Sequence, residues 1–453
     1  MKIVILGAGV TGSSVAGALA REENDIVVID KKPQLLTALK ARLDIATIEG
    51  NATHPTVLEK AGVKDADMVI AVTDQDETNM LACHVINTMY SEPKPKTIAR
   101  VRAIDFLNHP QLFRPGGIDI VISPEQVITE SIHNLVKFPG ALHVSEFAYG
   151  LVRLFSIRVV ATGFLTGKRI HAVKEKLADG MIRVAAIFRD GTAIAVNGEA
   201  VIATGDEVFF VCPRDKVRKT LIDLHKLEAR IKTVMIAGGG HVGKRLAIAL
   251  EKNYQIKVIE QDLERAKDIA NDLRKTLILH GDCTDETLLQ EEMIENIDLF
   301  CAITNNDGIN LMSAGLAKKL GAKRAICLIN NSAYLKLLEG SDIDLAIQPQ
   351  LETLGSILKH VRKGDVVGVS SVCGGSAEAI EAIAHRSKND TTVVGLRVDQ
   401  VNLPEGVILG ALIRDKEVIQ IHHDTVFAEG DHVVMFALNK KMIKDIENFF
   451  QPI

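Results

Sequence analysis

The sequence predicts an α/β protein: two Rossmann-type doubly wound parallel-sheet domains, each followed by a small α+β domain. Three observations carry this reading. Gly7-Ala8-Gly9-Val10-Thr11-Gly12 follows a short apolar run, Ile3 to Leu6, and leads into small residues, which is the strand-turn-helix order of a dinucleotide-binding unit. The same landmarks return about 231 residues later. Gly238-Gly239-Gly240-His241-Val242-Gly243 repeats the turn, Glu260 answers Asp30, Gly281-Asp282-Cys283-Thr284 answers Gly50-Asn51-Ala52-Thr53, Thr304 answers Thr73 and Asn310 answers Asn79. One glycine motif is weak evidence, whereas five landmarks recurring together mark a duplication. The third observation is a change of texture after each unit, from continuous apolar runs to alternation.

Ile3 to Leu6 reads as a strand buried on both faces, and the helix after it uses small residues from Val15 to Leu19. Further strands follow at Ile26–Ile29, Ile45–Ile48, Met68–Val72, Thr97–Ala99 and Ile118–Ile122. Strands alternating with helical stretches give a parallel sheet with helices on both faces. Ser123-Pro124-Glu125-Gln126 then offers an N-cap, a first-turn proline and a capping-box partner, opening a helix to about Val136 that stops at Phe138-Pro139-Gly140. Asp344–Ile347, Gln348-Pro349 and a helix to about Val361 repeat that ending. Residues 142–212 alternate apolar and polar side chains, as in Arg153 to Val159, with breaks at Gly163, Gly167, Gly180, Gly191 and Gly205. Short antiparallel strands with a helix or two are expected there, and again at 392–438. The segment from Leu224 to Lys232 joins the halves. The expected domains are 1–137, 138–225, 231–362 and 363–453.

Composition narrows the function. A net charge of −5 disfavours a general nucleic-acid binder, and aromatic residues at 4% with no Trp leave little for base stacking. No run approaches the roughly 18 consecutive apolar residues of a membrane span, so work at a membrane would go through a partner. Lys2 and the apolar stretch to Ala20 could pass for a signal peptide, but the glycines and the internal recurrence fit the strand-turn-helix better. Six cysteines, at 83, 212, 283, 301, 327 and 373, show no paired spacing and read as reduced core thiols of a cytoplasmic protein. His422-His423 has no ligand cluster around it in sequence, and a solvated strand end is the simpler reading. The Lys and Arg residues are scattered and read as ordinary surface.

Each glycine of the turn has a mechanical reason. The first permits the tight turn, the second lets backbone approach a pyrophosphate, and the third lets the helix sit close on the strand. Backbone N–H groups and the positive helix end then meet phosphates. Asp30 ends the second strand, 18 residues past Gly12, where a carboxylate can bond both ribose hydroxyls and would repel a 2′-phosphate. NAD(H) or another adenosine nucleotide is therefore favoured over NADP(H), with Glu260 in the same part in the second half.

Gly50-Asn51-Ala52-Thr53, the run Thr73-Asp74-Gln75-Asp76-Glu77-Thr78-Asn79 and Ala99-Arg100-Val101-Arg102 resemble the nucleotide-binding RCK domain that regulates potassium conductance. The whole chain, with both small domains and the terminal Phe449-Phe450-Gln451-Pro452, resembles the TrkA family of Trk potassium uptake systems. That resemblance implies a peripheral cytoplasmic regulatory subunit at the inner face of the plasma membrane, acting on a membrane potassium-transporting subunit. It implies NAD(H) as ligand and, in some relatives, ATP or ADP. It implies cofactor contacts from the two glycine turns and from Asn51, Ala52, Thr53, Thr73, Asp74, Glu77 and Arg100, with Asp282, Cys283 and Thr304 in the second half. It also makes the two capped helices crossover elements that pack against a neighbouring nucleotide domain, with Val127, Ile128, Ile132 and Leu135 at helical spacing. A ring of eight such domains needs four chains, hence a homotetramer.

The halves depart from each other. Asn51 stands where the second half has Asp282, so a charge is lost at the first site. Arg100, which by resemblance neutralises phosphate, aligns with Leu328, and Asp74 and Glu77 align with Asn305 and Gly308. Unequal sites are expected. The competing reading is an NAD-dependent oxidoreductase, which would need a general acid or base over the nicotinamide; no nucleophile-base pair stands at motif spacing, and no catalytic or metal residue is assigned.

Overall fold

The computed structural model describes residues 1–22, 24–90, 94–113, 117–177, 181–224, 230–338, 340–361, 366–372, 377–386, 393–404, 406–438 and 442–450. Gly180, Cys373, Gln451, Pro452 and residues 225–229 of the joining segment lie outside these.

The first sheet is built from β1 (Lys2–Leu6), β2 (Asp25–Asp30), β3 (Ala46–Glu49), β4 (Met68–Ala71), β5 (Lys96–Arg100) and β6 (Ile120–Ile122), in the order β3-β2-β1-β4-β5-β6. All its pairings are parallel. Between the strands run α1 (Val10–Ala20), α2 (Pro33–Lys40), α3 (Pro55–Lys60), α4 (Asp76–Met89) and α5 (Ile104–Leu107). The order reverses beside β1, so the crevice for a ligand opens at the C-terminal ends of β1 and β4, where the glycine turn lies. The strand expected from Ile118 begins only at Ile120. The cause is Asp119, whose carboxylate accepts from the Thr97 amide and hydroxyl at 2.7 and 2.8 Å in place of ladder bonds.

After β6 the chain forms α6 (Pro124–Lys137), capped as expected by the Ser123 hydroxyl accepting from the Gln126 amide. The first small sheet contains β7 (His143–Phe147), β8 (Val152–Arg158), β9 (Arg183–Arg189), β10 (Thr192–Ile194) and β11 (Glu207–Pro213), with α7 (Ile170–Lys176) and α8 (Val217–Leu224). Its order is β10-β9-β11-β8-β7, antiparallel throughout.

The second half repeats the plan. β12 (Thr233–Ala237), α9 (His241–Leu250), β13 (Gln255–Glu260), α10 (Leu263–Asp272), β14 (Leu277–His280), α11 (Glu286–Glu291), β15 (Leu299–Ala302), α12 (Asp307–Lys319), β16 (Ala325–Leu328) and β17 (Leu345–Ile347) give a parallel sheet of order β14-β13-β12-β15-β16-β17. Here too the last strand starts one residue later than expected, because the Asp344 carboxylate takes the Ala325 amide. Then come α13 (Pro349–Val361), β18 (Val366–Val372), β19 (Ala377–Ile383), β20 (Val407–Arg414), β21 (Glu417–Ile419), β22 (His432–Ala437) and α14 (Ile443–Phe449), with the sheet order β18-β19-β22-β20-β21.

The chain forms two compact units whose membership does not follow sequence order: residues 1–127 with 350–362, and 128–349 with 363–453. The reason is a crossed use of the two capped helices. In the first unit, Leu354, Ile357, Leu358 and Val361 of α13 complete the core against Ile3, Ile5, Val15 and Leu19. In the second unit, Ile128, Ile132, Leu135 and Val136 of α6 lie in the core with Ile236, Leu246, Ile256 and Ile326. The neighbouring nucleotide domain that each helix packs on is thus the other half of the same chain, and Val127 is only half-buried. Ile132 and its counterpart Ile357 are almost fully enclosed. Deleting a side chain of that size from such a place costs about 2–5 kcal/mol.

In the second unit the two small sheets share an apolar cluster, in which Phe209 of β11 meets Phe436 of β22 with ring centroids 5.5 Å apart. His143, Ser145 and Ser370 form a polar knot at the same junction, and burial pushes the His143 imidazole down to about 4.

Candidate functional site

The backbone of the first glycine turn explains its sequence. Gly7 has φ of 108°, a value that only glycine tolerates well. A Cβ on Gly12 would enter the carbonyl oxygen of Gly7, whereas a Cβ on Gly9 would meet nothing within 4 Å. The third glycine therefore serves packing, and the second leaves an open approach to the backbone. Ala8 is buried, and its amide donates to Asp30 Oδ2 at 2.6 Å. The other oxygen, Oδ1, accepts from the Lys32 amide at 2.8 Å. Asp30 thus pins the turn to the end of β2, a task its position alone did not reveal.

The second turn has the same mechanics. Gly238 has φ of 107°, a Cβ on Gly243 would strike the Gly238 carbonyl, and Gly240 is open. Glu260 accepts from the Gly239 amide at 2.9 Å and from the Asp262 amide at 2.9 Å.

At the end of β4, Thr73 is held by Asn79, whose side-chain oxygen accepts the Thr73 amide at 2.8 Å and its hydroxyl at 2.7 Å. The Asn79 amide nitrogen donates to the Arg100 carbonyl at 2.9 Å. Thr304 and Asn310 repeat every one of these bonds, with Leu328 in the place of Arg100. The alignment of Arg100 with Leu328 is therefore the structural one.

The substitution changes the site. Arg100 donates to the Thr73 carbonyl at 2.6 Å and to the Thr11 hydroxyl at 3.3 Å, while its Nε is buried without a hydrogen-bond partner. Burial, and then the nearby Arg102, lower its pKa. An Arg guanidinium still stays charged, and a buried N–H with no acceptor is a donor awaiting one. In the second half Thr11 becomes Val242 and Arg100 becomes Leu328, and both join one apolar cluster. The polar pair is replaced as a pair.

A cavity of about 300 Å³ opens at the first turn. Of the residues expected there, Gly7, Gly9, Val10, Thr11, Asp30, Ala52, Thr73, Asp74 and Arg100 line it. Ala8 and Gly12 lie beneath the turn, and Glu77 is exposed on α4. Asn51 points its oxygen at Thr53, accepting from amide and hydroxyl at 3.2 and 3.1 Å. Asp282 does the same for Thr284 at 2.8 and 2.7 Å, and those two bonds lower its pKa. Both are loop-forming side chains. Sequence reasoning missed Lys31, Lys32, Leu35, Gln75 and Thr78, which also line the cavity; Lys31 and Lys32 directly follow Asp30, and their adjacency was the available signal. In the second half His241 is exposed on the first turn of α9, and Arg265 stands 3.6 Å from Glu260. Cys283 is buried, its thiol pushed up by desolvation. The other described cysteines are also buried, and among the described residues no cluster of three or more ligands could hold a metal. His422 and His423 are exposed.

The likeness of this chain to known proteins extends over its whole length. The TrkA-N domain family matches residues 3–124 and 234–349, and the TrkA-C domain family matches 384–451. The Trk system potassium uptake protein TrkA of Halomonas elongata is 47% identical over all of this chain and 99% of its own length. The chain belongs to the TrkA family. The TrkA proteins of Vibrio alginolyticus and Haemophilus influenzae are 43% and 40% identical with the same coverage. Among solved structures, the RCK domain of GsuK covers 99% of this chain and 94% of its own at a TM-score of 0.61 and 17% identity. The GsuK channel bound to NAD covers 99% and 78% at 0.62 and 16%. At those identities the likeness is one of fold, namely tandem RCK-type α/β domains. Membership of the TrkA family places the chain among potassium-uptake proteins and not among enzymes. No helix among the described residues is long and apolar enough to cross a membrane.

Proposed function

We propose that this TrkA-family chain is the peripheral cytoplasmic subunit that gates a membrane potassium-transporting partner in response to nucleotides bound at its glycine turns. Its four domains would be those at 1–137, 138–225, 231–362 and 363–453. The observation that carries the ligand reading is the first site: an open approach at Gly9, the Asp30 carboxylate and the buried, partnerless Nε of Arg100 all border one cavity. The residues fit a dinucleotide such as NAD(H), and ATP or ADP shares the adenosine and phosphate chemistry. Gly7, Gly9, Val10, Thr11 and Arg100 would hold phosphate, Asp30 the ribose, and Ala52, Thr73 and Asp74 the remaining wall. The corresponding residues of the second half, Gly238 to Gly243, Glu260, Asp282, Cys283 and Thr304, would form a weaker site.

A nucleotide shifts a conformational equilibrium only through its differential affinity for two states. A tenfold preference is worth about 1.4 kcal/mol, and four equivalent sites would supply about 5.6, close to the ~5.5 that moves 1:99 to 99:1. A homotetramer, giving a ring of eight nucleotide domains, provides those four sites. Leu81 on α4 and Met312 on α12 stand at equivalent places and are 51% and 65% exposed, which suits docking of further copies.

Calorimetric titration with NADH, NAD, ATP and ADP tests the reading. Binding is expected without oxidation of NADH in the presence of hydroxy-acid, aldehyde or ketone substrates. Absence of binding by all four nucleotides would overturn it.

A further inference from the structure

The lysines and arginines that look scattered in the sequence converge in the second unit. Lys137 at the end of α6, Arg218 on α8, Arg230 and Lys232 before β12, Lys252 after α9 and Lys275 before β14 line one cleft of about 840 Å³. Lys257 joins them but is paired with Glu292 at 2.8 Å. None of the other six makes an ion pair among the described residues, and Glu251 is the one carboxylate in the lining. That carboxylate already accepts from the Arg274 and Lys275 amides. The floor is apolar, from Ile231, Ile256 and Ile297, with the half-buried Tyr254 ring at its side. A concentration of positive charge this strong is out of keeping with a chain of net charge −5.

The cleft is not a face of the glycine-turn site. Thr233, Gln255 and Leu277 line it, and these are the first residues of β12, β13 and β14. Dinucleotides bind at the opposite, C-terminal ends of such strands. Nor does the architecture require basic residues there, since the first half is a built-in control. Lys2 pairs with Asp25 as Thr233 pairs with Gln255, and Val27 pairs with Ala46 as Lys257 pairs with Leu277. By that register Asp25 stands in the place of Gln255, and Asp44 in the place of Lys275. The first half thus has an acid in place of the base Lys275 and another in place of the neutral Gln255.

We infer that this cleft is an effector site for a polyphosphorylated small molecule, separate from both glycine turns. Cations without carboxylate partners raise the local concentration of anions and form strong charge-assisted bonds to phosphate oxygens. The cleft volume is that of a single small-molecule site, and the apolar floor beside Tyr254 accepts an uncharged moiety. Its concavity fits such a ligand better than a flat lipid surface or an extended acidic chain. The lining comes from α6, from the small-domain helix α8 and from the base of the second parallel sheet, so a bound polyanion would tie these three elements together.

The test uses the full chain and inorganic tripolyphosphate, with hydrogen exchange to locate the binding. Protection is expected at residues 251–257 and 273–277, with an affinity that falls as salt rises. Replacing Gln255→Asp and Lys275→Asp, the residues of the first half, is expected to weaken binding at least tenfold, and Arg218→Ala several-fold. All three side chains are exposed, so the fold should survive, as unchanged thermal unfolding would verify. Protection confined to the two glycine turns, undiminished binding by both variants, or no binding at micromolar concentrations would overturn the proposal. So would a polyglutamate peptide that occupies the cleft and that tripolyphosphate cannot displace.

Discussion

The two glycine turns of this chain share their backbone conformation and hydrogen bonding and differ in their chemistry. Both have a left-handed first glycine, a third glycine pressed on the first, an acidic strand end that pins the turn, and a Thr–Asn clasp. Among the side chains in which they differ, one hydrogen-bonded pair stands out. The first half has Thr11 and Arg100, and the second has Val242 and Leu328. A duplication has kept what folds the turn and changed what faces a ligand, so the shared features report on stability and the differing ones on binding.

Breaking the shared part should have the largest effect. Gly12→Ala and Gly243→Ala each force a methyl into a backbone carbonyl, and overpacking of that kind costs roughly 1–3 kcal/mol or more. The two losses should be alike in thermal or denaturant unfolding, and a clear inequality would show that the turns are not mechanically equivalent. Next comes Arg100→Leu, which gives the first site the residue of the second. Loss of a charged hydrogen bond worth about 1.5–3 kcal/mol corresponds to roughly 10–100-fold weaker nucleotide binding, with little change in stability. Asp30→Ala should weaken binding at the first site by roughly tenfold or more. Glu260→Ala should do less at the second, because Arg265 already stands beside that carboxylate. Equal effects in calorimetry would remove the distinction.

The smallest effect concerns the crossed helices. Burial first, then Lys359 and Lys96, push His360 of α13 down to about 4. Burial and then Lys137 lower His133 of α6 as well. A histidine depressed in the folded state contributes stability that is present above its unfolded value, near 6.5, and is lost as pH falls toward 4. Melting temperatures measured from pH 7 to 4 should therefore decline, and His360→Gln should flatten part of that decline.

The parallel sheets, the turns and the helix caps were legible in sequence because each depends on neighbours within a few residues. Gly7, Asp30 and Ser123 announce themselves by local spacing. The late starts of β6, by two residues, and of β17, by one, were not legible, since they depend on Asp119 and Asp344 reaching across to another strand. The exchange of α6 and α13 was only half legible: periodicity marks an apolar face but does not say which core receives it. The basic cleft was illegible for the same reason, because its cations come from five separate segments. Within the first site, Arg100 was found through a motif, while its partnerless Nε could be seen only once Thr11 and Thr73 were placed around it.

The central claim is that the two turns are unequal sites and that Thr11 and Arg100 make them so. Calorimetric titration of NADH into the wild-type chain and into a Thr11→Val, Arg100→Leu double variant tests it most directly. Two classes of affinity are expected in the wild type, collapsing in the variant to one weak class. A single class of two equal sites in the wild type, or two classes unchanged in the variant, would contradict it.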